Sequence, residues 1–353
     1  MTAIAATETE PKRAASPSDN DGDTAMPDST NSWRSSGMRE LDPEAMRRFR
    51  KVESRFLDVT RARGYDEVRT PTIEPLHLYT NAGALSPQLL DRVYSFLDWD
   101  GWSGERVVLR PDATVPTARW YAASGNDVAR VSYVQPVYRF ESGDADRELW
   151  QCGVELFGTP AAEGDAELLT LALELLEALG IEDRRVDLAH AGLVRAVLAS
   201  VGLDTAAQLV TFDRMVEGDE SVIEDLTAAK PEGAAALRLL SGVDGDSPGY
   251  VANLRTALLP LVPGIEQALT DLEGAAHTLD AAGAAYRILP ATAGNFEYYS
   301  GLTFRVTAGG VECITGGRYD GLTESVGGVA APASGFAAYL LRLADLAQNG
   351  DAS

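Results

Sequence analysis

Residues 109–158 hold the side chains best suited to chemistry. The run Leu109-Arg110-Pro111-Asp112-Ala113-Thr114 brings together an arginine, an acid and a hydroxyl. A second run, from Arg130 through Tyr133, Gln135 and Tyr138, delivers Arg139 at its end. After a short acidic loop comes Leu149-Trp150-Gln151-Cys152-Gly153-Val154-Glu155-Leu156-Phe157-Gly158. Side chains alternate between the two faces of a strand. Trp150, Cys152, Val154 and Leu156 therefore share a face suited to a core. Leu149, Gln151, Gly153, Glu155 and Phe157 share the other, expected to be open. An amide and a carboxylate thus flank a glycine, and something can lie over a residue with no side chain. The loop Ser142-Gly143-Asp144-Ala145-Asp146 predicts a hairpin, which would turn Arg139 toward Gln151 and Glu155. Arginine, amide and carboxylate together would suit a zwitterion. The plain alternative is a solvated sheet face with a structural ion pair, and the pattern alone leaves both open.

The flanking sequence predicts the frame for these groups. Residues 1–38 are rich in Ser, Thr, Asp, Pro and Ala and carry almost no large apolar groups. Such a segment buries too little surface to offset its ordering entropy, so a disordered tail is expected. Asp42 as N-cap and Pro43 at the first helical position open a helix. Met46, Phe49, Val52, Phe56 and Val59 recur along it at helical spacing, and Gly64 ends it. Residues 65–71 read as a strand stopped by Pro71, which an ordinary edge strand would also explain. Residues 94–98 and 105–109 read as strands, the second delivering Asp112 and Thr114, and residues 117–124 as a short helix. Asp165 reads as the N-cap of a leucine-rich helix reaching Leu179. A strand over 186–189 and a helix over 191–201 follow. Residues 204–250 are expected to form a small helical insertion with no direct chemistry. A helix over 265–282 and a strand over 286–289 come next. Residues 295–306 then hairpin through Ala308-Gly309-Gly310 into 311–314. Gly316-Gly317-Arg318-Tyr319-Asp320-Gly321-Leu322 reads as a glycine-rich turn, and a last helix contains Arg342.

Composition narrows the classes. The 353 residues, 45% hydrophobic, can build one large domain or two small ones. Acidic residues outnumber basic ones 53 to 30, a net charge of -23, so the average surface repels a phosphate backbone and no nucleic-acid partner is expected. The basic run Arg47-Arg48-Phe49-Arg50-Lys51 reads as the solvated face of the first helix. Cys152 and Cys313 fall in predicted strands and read as small buried residues of a reducing compartment. His77, His190 and His277 are isolated, and no metal-ligand spacing involves them, so no metal and no cofactor is expected. No apolar run is long enough to span a membrane, and the N-terminus lacks a signal-peptide core. A cytoplasmic location follows as the expectation.

The run Gln151 to Gly158 resembles motif 2 of class II aminoacyl-tRNA synthetases, and most closely that of histidyl-tRNA synthetases, in its Gln-x-Gly-x-Glu-x-Phe-Gly pattern. Arg110-Pro111-Asp112-Ala113-Thr114 is similar to that family's Arg-Pro-Glu-x-Thr segment, with Asp112 one methylene shorter. The helix, strand and proline before residue 72 resemble motif 1, which builds the dimer interface in class II enzymes. The likeness covers most of the chain beyond residue 40. It implies an α+β fold with the class II synthetase topology over residues 39–353, a mostly antiparallel sheet flanked by helices, and a homodimer core. It also implies a histidine pocket made by Asp112, Thr114, Arg139, Gln151, Glu155, Tyr298 and Tyr299. A carboxylate there can hold an ammonium or an imidazole N–H, and a tyrosine hydroxyl can meet the other ring nitrogen.

Three departures from the synthetase pattern carry a second implication. Ala293 stands where the family's tyrosine-pair segment has a catalytic arginine, and a methyl group cannot stabilise charge developing on a phosphate. The motif 3 ending reads Tyr339-Leu340-Leu341-Arg342, with a tyrosine at a glycine position near where ATP would lie. The sequence ends soon after Arg342, and no anticodon-binding domain is expected. Together these features resemble the regulatory subunit of the short-form ATP phosphoribosyltransferase, the first enzyme of histidine biosynthesis. That family implies no catalysis by this chain, a hetero-oligomer with a separate short catalytic subunit, and feedback inhibition by histidine. The alternative is a class II amino-acid-activating ligase that uses Arg139 and Arg342 on a non-tRNA acceptor.

Overall fold

A computed structural model describes residues 33–350, apart from 83–91, 100–101, 144, 217–218, 220, 230, 242–243 and 293–298. The chain divides into Met1–Ser36 and Gly37–Ser353. Of the first unit only 33–36 are described, so the tail expected over residues 1–38 lies almost wholly outside the described residues.

Helix α1 (Pro43–Ala62) begins as its sequence requires: the Asp42 carboxylate accepts the Ala45 N–H at 2.7 Å, and proline occupies the first turn. Its buried stripe is Phe49, Val52, Phe56 and Thr60. Phe49 meets Trp150 edge to face, with ring centroids 5.1 Å apart. Gly64 takes a positive φ of 78° just past the end, a conformation cheap only for glycine. The strand expected over 65–71 shrinks to β1 (Asp66–Glu67), because only these two residues pair, in parallel, with Val131 and Ser132.

Two sheets organise the rest. The small one is antiparallel: β2 (Ile73–Pro75), β4 (Gly104–Leu109) and β3 (Ser95–Trp99), in that order. The large one has eight strands, β1-β5-β6-β11-β10-β9-β7-β8. Its further members are β5 (Ala129–Tyr138), β6 (Glu148–Phe157), β7 (Arg184–His190), β8 (Tyr286–Ile288), β9 (Leu302–Ala308), β10 (Val311–Arg318) and β11 (Ala333–Tyr339). Pairing is antiparallel except at the two ends, where β1–β5 and β7–β8 are parallel. The β5–β6 hairpin sets Tyr133 opposite Gly153 and Val131 opposite Glu155. β9 and β10 turn through Gly309 and Gly310, both at positive φ, as a tight two-residue hairpin demands.

Helices flank the large sheet. On its back face Cys152, Val154, Phe304 and Phe336 share a core with Leu168, Leu171, Leu269 and Leu272. These leucines come from α4 (Ala161–Ala178) and α10 (Glu266–Ala281), named after α2 (Leu76–Asn81), α3 (Thr114–Ser124), α5 (Ala191–Ser200), α6 (Thr205–Val216), α7 (Ser221–Ala229), α8 (Pro231–Ser241) and α9 (Pro248–Leu258). The short α11 (Leu322–Gly327) and the closing α12 (Leu340–Gly350) complete the order. No single helix among the described residues is long and apolar enough to cross a membrane.

Two expectations about local structure are corrected. Asp165 is no N-cap: α4 starts at Ala161, which leaves Asp165 inside the helix and buried, bonded to Arg318. Gly316 and Gly317 are not in a turn but in β10. A Cβ on Gly316 would sit 2.5 Å from the Phe336 Cβ, and one on Gly317 2.5 Å from the Leu302 carbonyl oxygen. They are glycines because neighbouring strands and rings come too close for anything larger.

Candidate functional site

The face of β6 opposite the main core is not open. Gln151 and Glu155 are 3% and 1% exposed, so the expectation of a solvated face is overturned. Glycines floor this side. Gly335 pairs with Glu155 on one neighbour and Gly317 on the other. A Cβ on Gly335 would overlap Glu155 Oε2 and fall 2.5 Å from the Tyr319 hydroxyl. A Cβ on Gly153 would strike the Tyr133 ring, and one on Gly317 would lie 2.9 Å from the Tyr299 ring. Three glycines on three adjacent strands therefore let three tyrosines lie down on the sheet.

Glu155 is the centre of this arrangement. Its Oε1 accepts the Tyr133 hydroxyl at 3.0 Å, and its Oε2 accepts the Tyr319 hydroxyl. The Thr114 hydroxyl is a further polar neighbour. Among the described residues no cationic side chain forms an ion pair with it. Burial pushes its carboxyl well above the usual range, and Asp112 adds to the push. Asp112 is itself raised by burial, although its Oδ1 accepts the Val115 N–H at 2.9 Å and the Arg139 charge favours ionisation. Tyr299 stands near Asp112, Glu155 and Arg139, and burial raises its phenol strongly. The Oε1 of Gln151, on the same face of β6 as Glu155, is buried with no hydrogen-bond partner among the described residues.

Six of the seven expected residues are thus described, and Tyr298 lies outside the described residues with Ala293. Asp112, Thr114, Glu155 and Tyr299 gather together, and Gln151 shares their side of the sheet. Arg139 does not turn onto Gln151 and Glu155: its Nε donates to the Pro111 carbonyl at 2.8 Å, which places its charge beside Asp112 instead. Tyr133 and Tyr319 were missed as site residues. Tyr133 could have been found, because counting back around the hairpin loop sets it across from Gly153. The neighbouring Arg110 is fully buried and structural. It donates to the carbonyls of Thr70, Pro71 and Pro136 at 2.8, 3.0 and 2.7 Å, tying three segments together.

The motif 3 arginine is engaged as well. The Arg342 guanidinium lies 4.3 Å from the centroid of the Tyr339 ring, and its Nη1 donates to the Glu312 carbonyl at 2.7 Å. Cys152 and Cys313 are buried free thiols, and no cluster of His, Cys, Asp or Glu suited to a metal occurs among the described residues.

The sheet order, the hairpin carrying Glu155 and the glycine-floored cluster of Glu155 and tyrosines define a protein of the histidyl-tRNA synthetase type. Residues 37–343 match the family model for histidyl-tRNA synthetase. A crystal structure of an ATP phosphoribosyltransferase regulatory subunit/histidyl-tRNA synthetase from Bacillus halodurans C superposes with a TM-score of 0.77 at 25% identity, over 89% of this chain and 82% of that one. A histidine–tRNA ligase subunit from Alicyclobacillus acidocaldarius gives a TM-score of 0.72 at 27% identity, over 90% and 98%. Among sequence relatives, the ATP phosphoribosyltransferase regulatory subunit of Dehalococcoides mccartyi (strain CBDB1) is 46% identical over 88% of this chain and 76% of its own. That of Symbiobacterium thermophilum is 34% identical over 87% and 78%. The chain belongs to the family of ATP phosphoribosyltransferase regulatory subunits.

Proposed function

We propose that this chain is the histidine-binding, non-catalytic subunit of an ATP phosphoribosyltransferase, joined to a separate short catalytic subunit at the first step of histidine biosynthesis. The carrying observation is Glu155: a fully buried carboxyl whose described partners are hydroxyls, with Asp112 beside it and the unpaired Gln151 Oε1 on the same face. Asp112 has the Arg139 charge beside it, but no cationic side chain among the described residues pairs with Glu155, so the two acids together are short of positive charge. Histidine brings an ammonium and a ring N–H, which are the groups two carboxyls and an amide oxygen can hold. Arg139, beside Asp112, is placed to meet the ligand's carboxylate.

The ligase alternative requires Arg342 to be available to a nucleotide. Its stacking on Tyr339 and its bond to Glu312 argue against that role. The chain pairs with a second copy through its motif 1 segment, and exposed Phe96, Leu97 and Trp99 on β3 support an assembled state. Sedimentation as a monomer at micromolar concentration would contradict the dimer.

The test is a steady-state assay of the short catalytic subunit with and without this chain across a histidine titration. Mixing should change the rate, the two proteins should co-elute, and histidine should inhibit the complex. Coupling is reciprocal, so substrate must alter histidine affinity by the same factor that histidine alters substrate affinity. Unchanged rate, unchanged histidine sensitivity and separate elution would overturn the assignment.

A further inference from the structure

Behind the pocket, on the helix-covered side of the sheet, lies a second buried polar group. Arg318 Nη2 donates to Asp165 Oδ2 at 2.8 Å and to Asp271 Oδ2 at 2.5 Å. Asp165 comes from α4 and Asp271 from α10. His190, at the end of β7, places its Nε2 3.2 Å from the same Asp271 oxygen, and Gln267 Nε2 donates to the other oxygen at 2.8 Å. All four charged or titratable side chains are at least nine-tenths buried. His190, expected from the sequence to be isolated, is therefore part of a cluster.

Arg318 works in two directions. Its side chain goes back to the helices, while its backbone faces the pocket segment. The Arg318 carbonyl accepts the Ser300 N–H at 2.8 Å, the Gly301 N–H at 3.4 Å and the Ser300 hydroxyl at 3.3 Å. Its side chain also lies against Gly301, where a Cβ would fall 2.5 Å from the guanidinium Nε. The segment so held begins just after Tyr299, whose ring rests on Gly317. The residue following Arg318 is Tyr319, which donates to Glu155. Asp320 completes the clamp: its N–H donates to Ser300 Oγ at 3.0 Å, and its Oδ1 accepts the Ala333 N–H at 3.0 Å.

We infer that Arg318 is a positioning residue of the pocket: gripped by Asp165 and Asp271, it fixes the two backbone segments that carry Tyr299 and Tyr319. The two tyrosines depend on the ionic cluster through the main chain. Carboxylates from two helices accept from one nitrogen, Nη2, whose N–H groups are fixed in the guanidinium plane, and this makes the grip directional. The claim about backbone position stands on geometry alone. Its consequence for histidine affinity rests on the function proposed above.

The test uses the full chain with Asp165→Asn and Asp271→Asn, which keep side-chain shape and remove one charge each. Without ligand, amide hydrogen exchange is read over residues 299–302 and 319–322, with α1 as the internal reference. Protection of these segments should fall by about tenfold while α1 is unchanged. With histidine, calorimetry should show affinity lowered by about tenfold in the same variants. Should Asp271→Asn fail to fold, Asp165→Asn still decides. Exchange that is unchanged, or raised uniformly along the chain, overturns the inference. Local deprotection with full histidine affinity overturns its link to the pocket. If wild type itself does not bind histidine, the ligand reading fails, and the exchange data judge the positioning claim by themselves.

Discussion

Truncating Glu155 should damage the fold, not only the pocket. The carboxylate is 1% exposed and accepts hydrogen bonds from Tyr133 and Tyr319, which are themselves 0% and 2% exposed. In Glu155→Ala both phenols lose their acceptor while remaining buried. Loss of a buried acceptor costs roughly 1–3 kcal/mol per donor, so about 2–6 kcal/mol is the ceiling for the pair, reduced to the extent that Tyr133 turns to the Thr114 hydroxyl. That is a large share of the roughly 5–15 kcal/mol that holds a domain folded. Glu155→Gln is the informative partner. Its amide oxygen can accept from one tyrosine and its NH2 can donate to the other, whose hydroxyl turns to suit. It also removes a carboxyl that burial holds well above its ordinary value of 4.5. A raised folded-state pKa contributes stability that is complete below the unfolded value and is lost as pH rises through the folded one. Wild type should therefore lose stability relative to Glu155→Gln as pH rises above 4.5. Urea unfolding followed by tryptophan fluorescence, at fixed protein concentration and at acidic and neutral pH, measures both effects. Glu155→Ala within about 0.5 kcal/mol of wild type would refute the reasoning and restore the open face expected from alternation.

Gly335→Ala should place a methyl on Glu155 and against the immovable Val154 carbonyl, costing about 1–3 kcal/mol and abolishing histidine binding by calorimetry. Gly321→Ala, with nothing within 4 Å of its Cβ, is the control and should be near neutral. Histidine-dependent exchange of pyrophosphate into ATP should not exceed a blank, and Tyr339→Gly should not create it, because residue 293 remains alanine; measurable exchange would favour the ligase reading. Asp165, raised to about 7 by burial and by Asp271 against the pull of Arg318, should make wild type lose stability relative to Asp165→Asn as pH rises from 3.8 through 7. The loss is at most about 4 kcal/mol, from the roughly 1.4 kcal/mol carried by each pKa unit.

Local signals were legible where the partners lie close in sequence. Asp42 and Pro43 announce α1 because a cap acts on the amide three residues on. The β5–β6 hairpin follows from its loop and its alternation. What failed depends on distant partners. Asp165 looks like a cap until Arg318, 153 positions later, claims its carboxylate. His190 looks isolated because Asp271 is 81 positions away. Alternation located both faces of β6 correctly but could not tell that the second is covered, since the cover comes from Tyr133 and Tyr319, for which Gly153 and Gly335 leave room. The motif resemblance supplied the fold class, and it named Asp112, Thr114, Glu155 and Tyr299, which the structure brings together and which pattern alone left unconnected.

The two halves of the synthetase-like frame have fared differently, and energetics says why that matters. Around Arg342 the charge is satisfied by the chain's own groups, a ring and a backbone carbonyl, so that corner is stable without a ligand. Around Glu155 the chain leaves a buried acid without a cation, a second acid beside it and an amide oxygen without a donor among the described residues. A purely structural core would be more stable with these groups replaced by apolar ones of the same shape. Buried polar groups that cost stability in the empty state are expected where a ligand repays the cost on binding. An Arg342 corner closed on itself and a Glu155 corner left unsatisfied are therefore what the proposed histidine-binding, non-catalytic role requires.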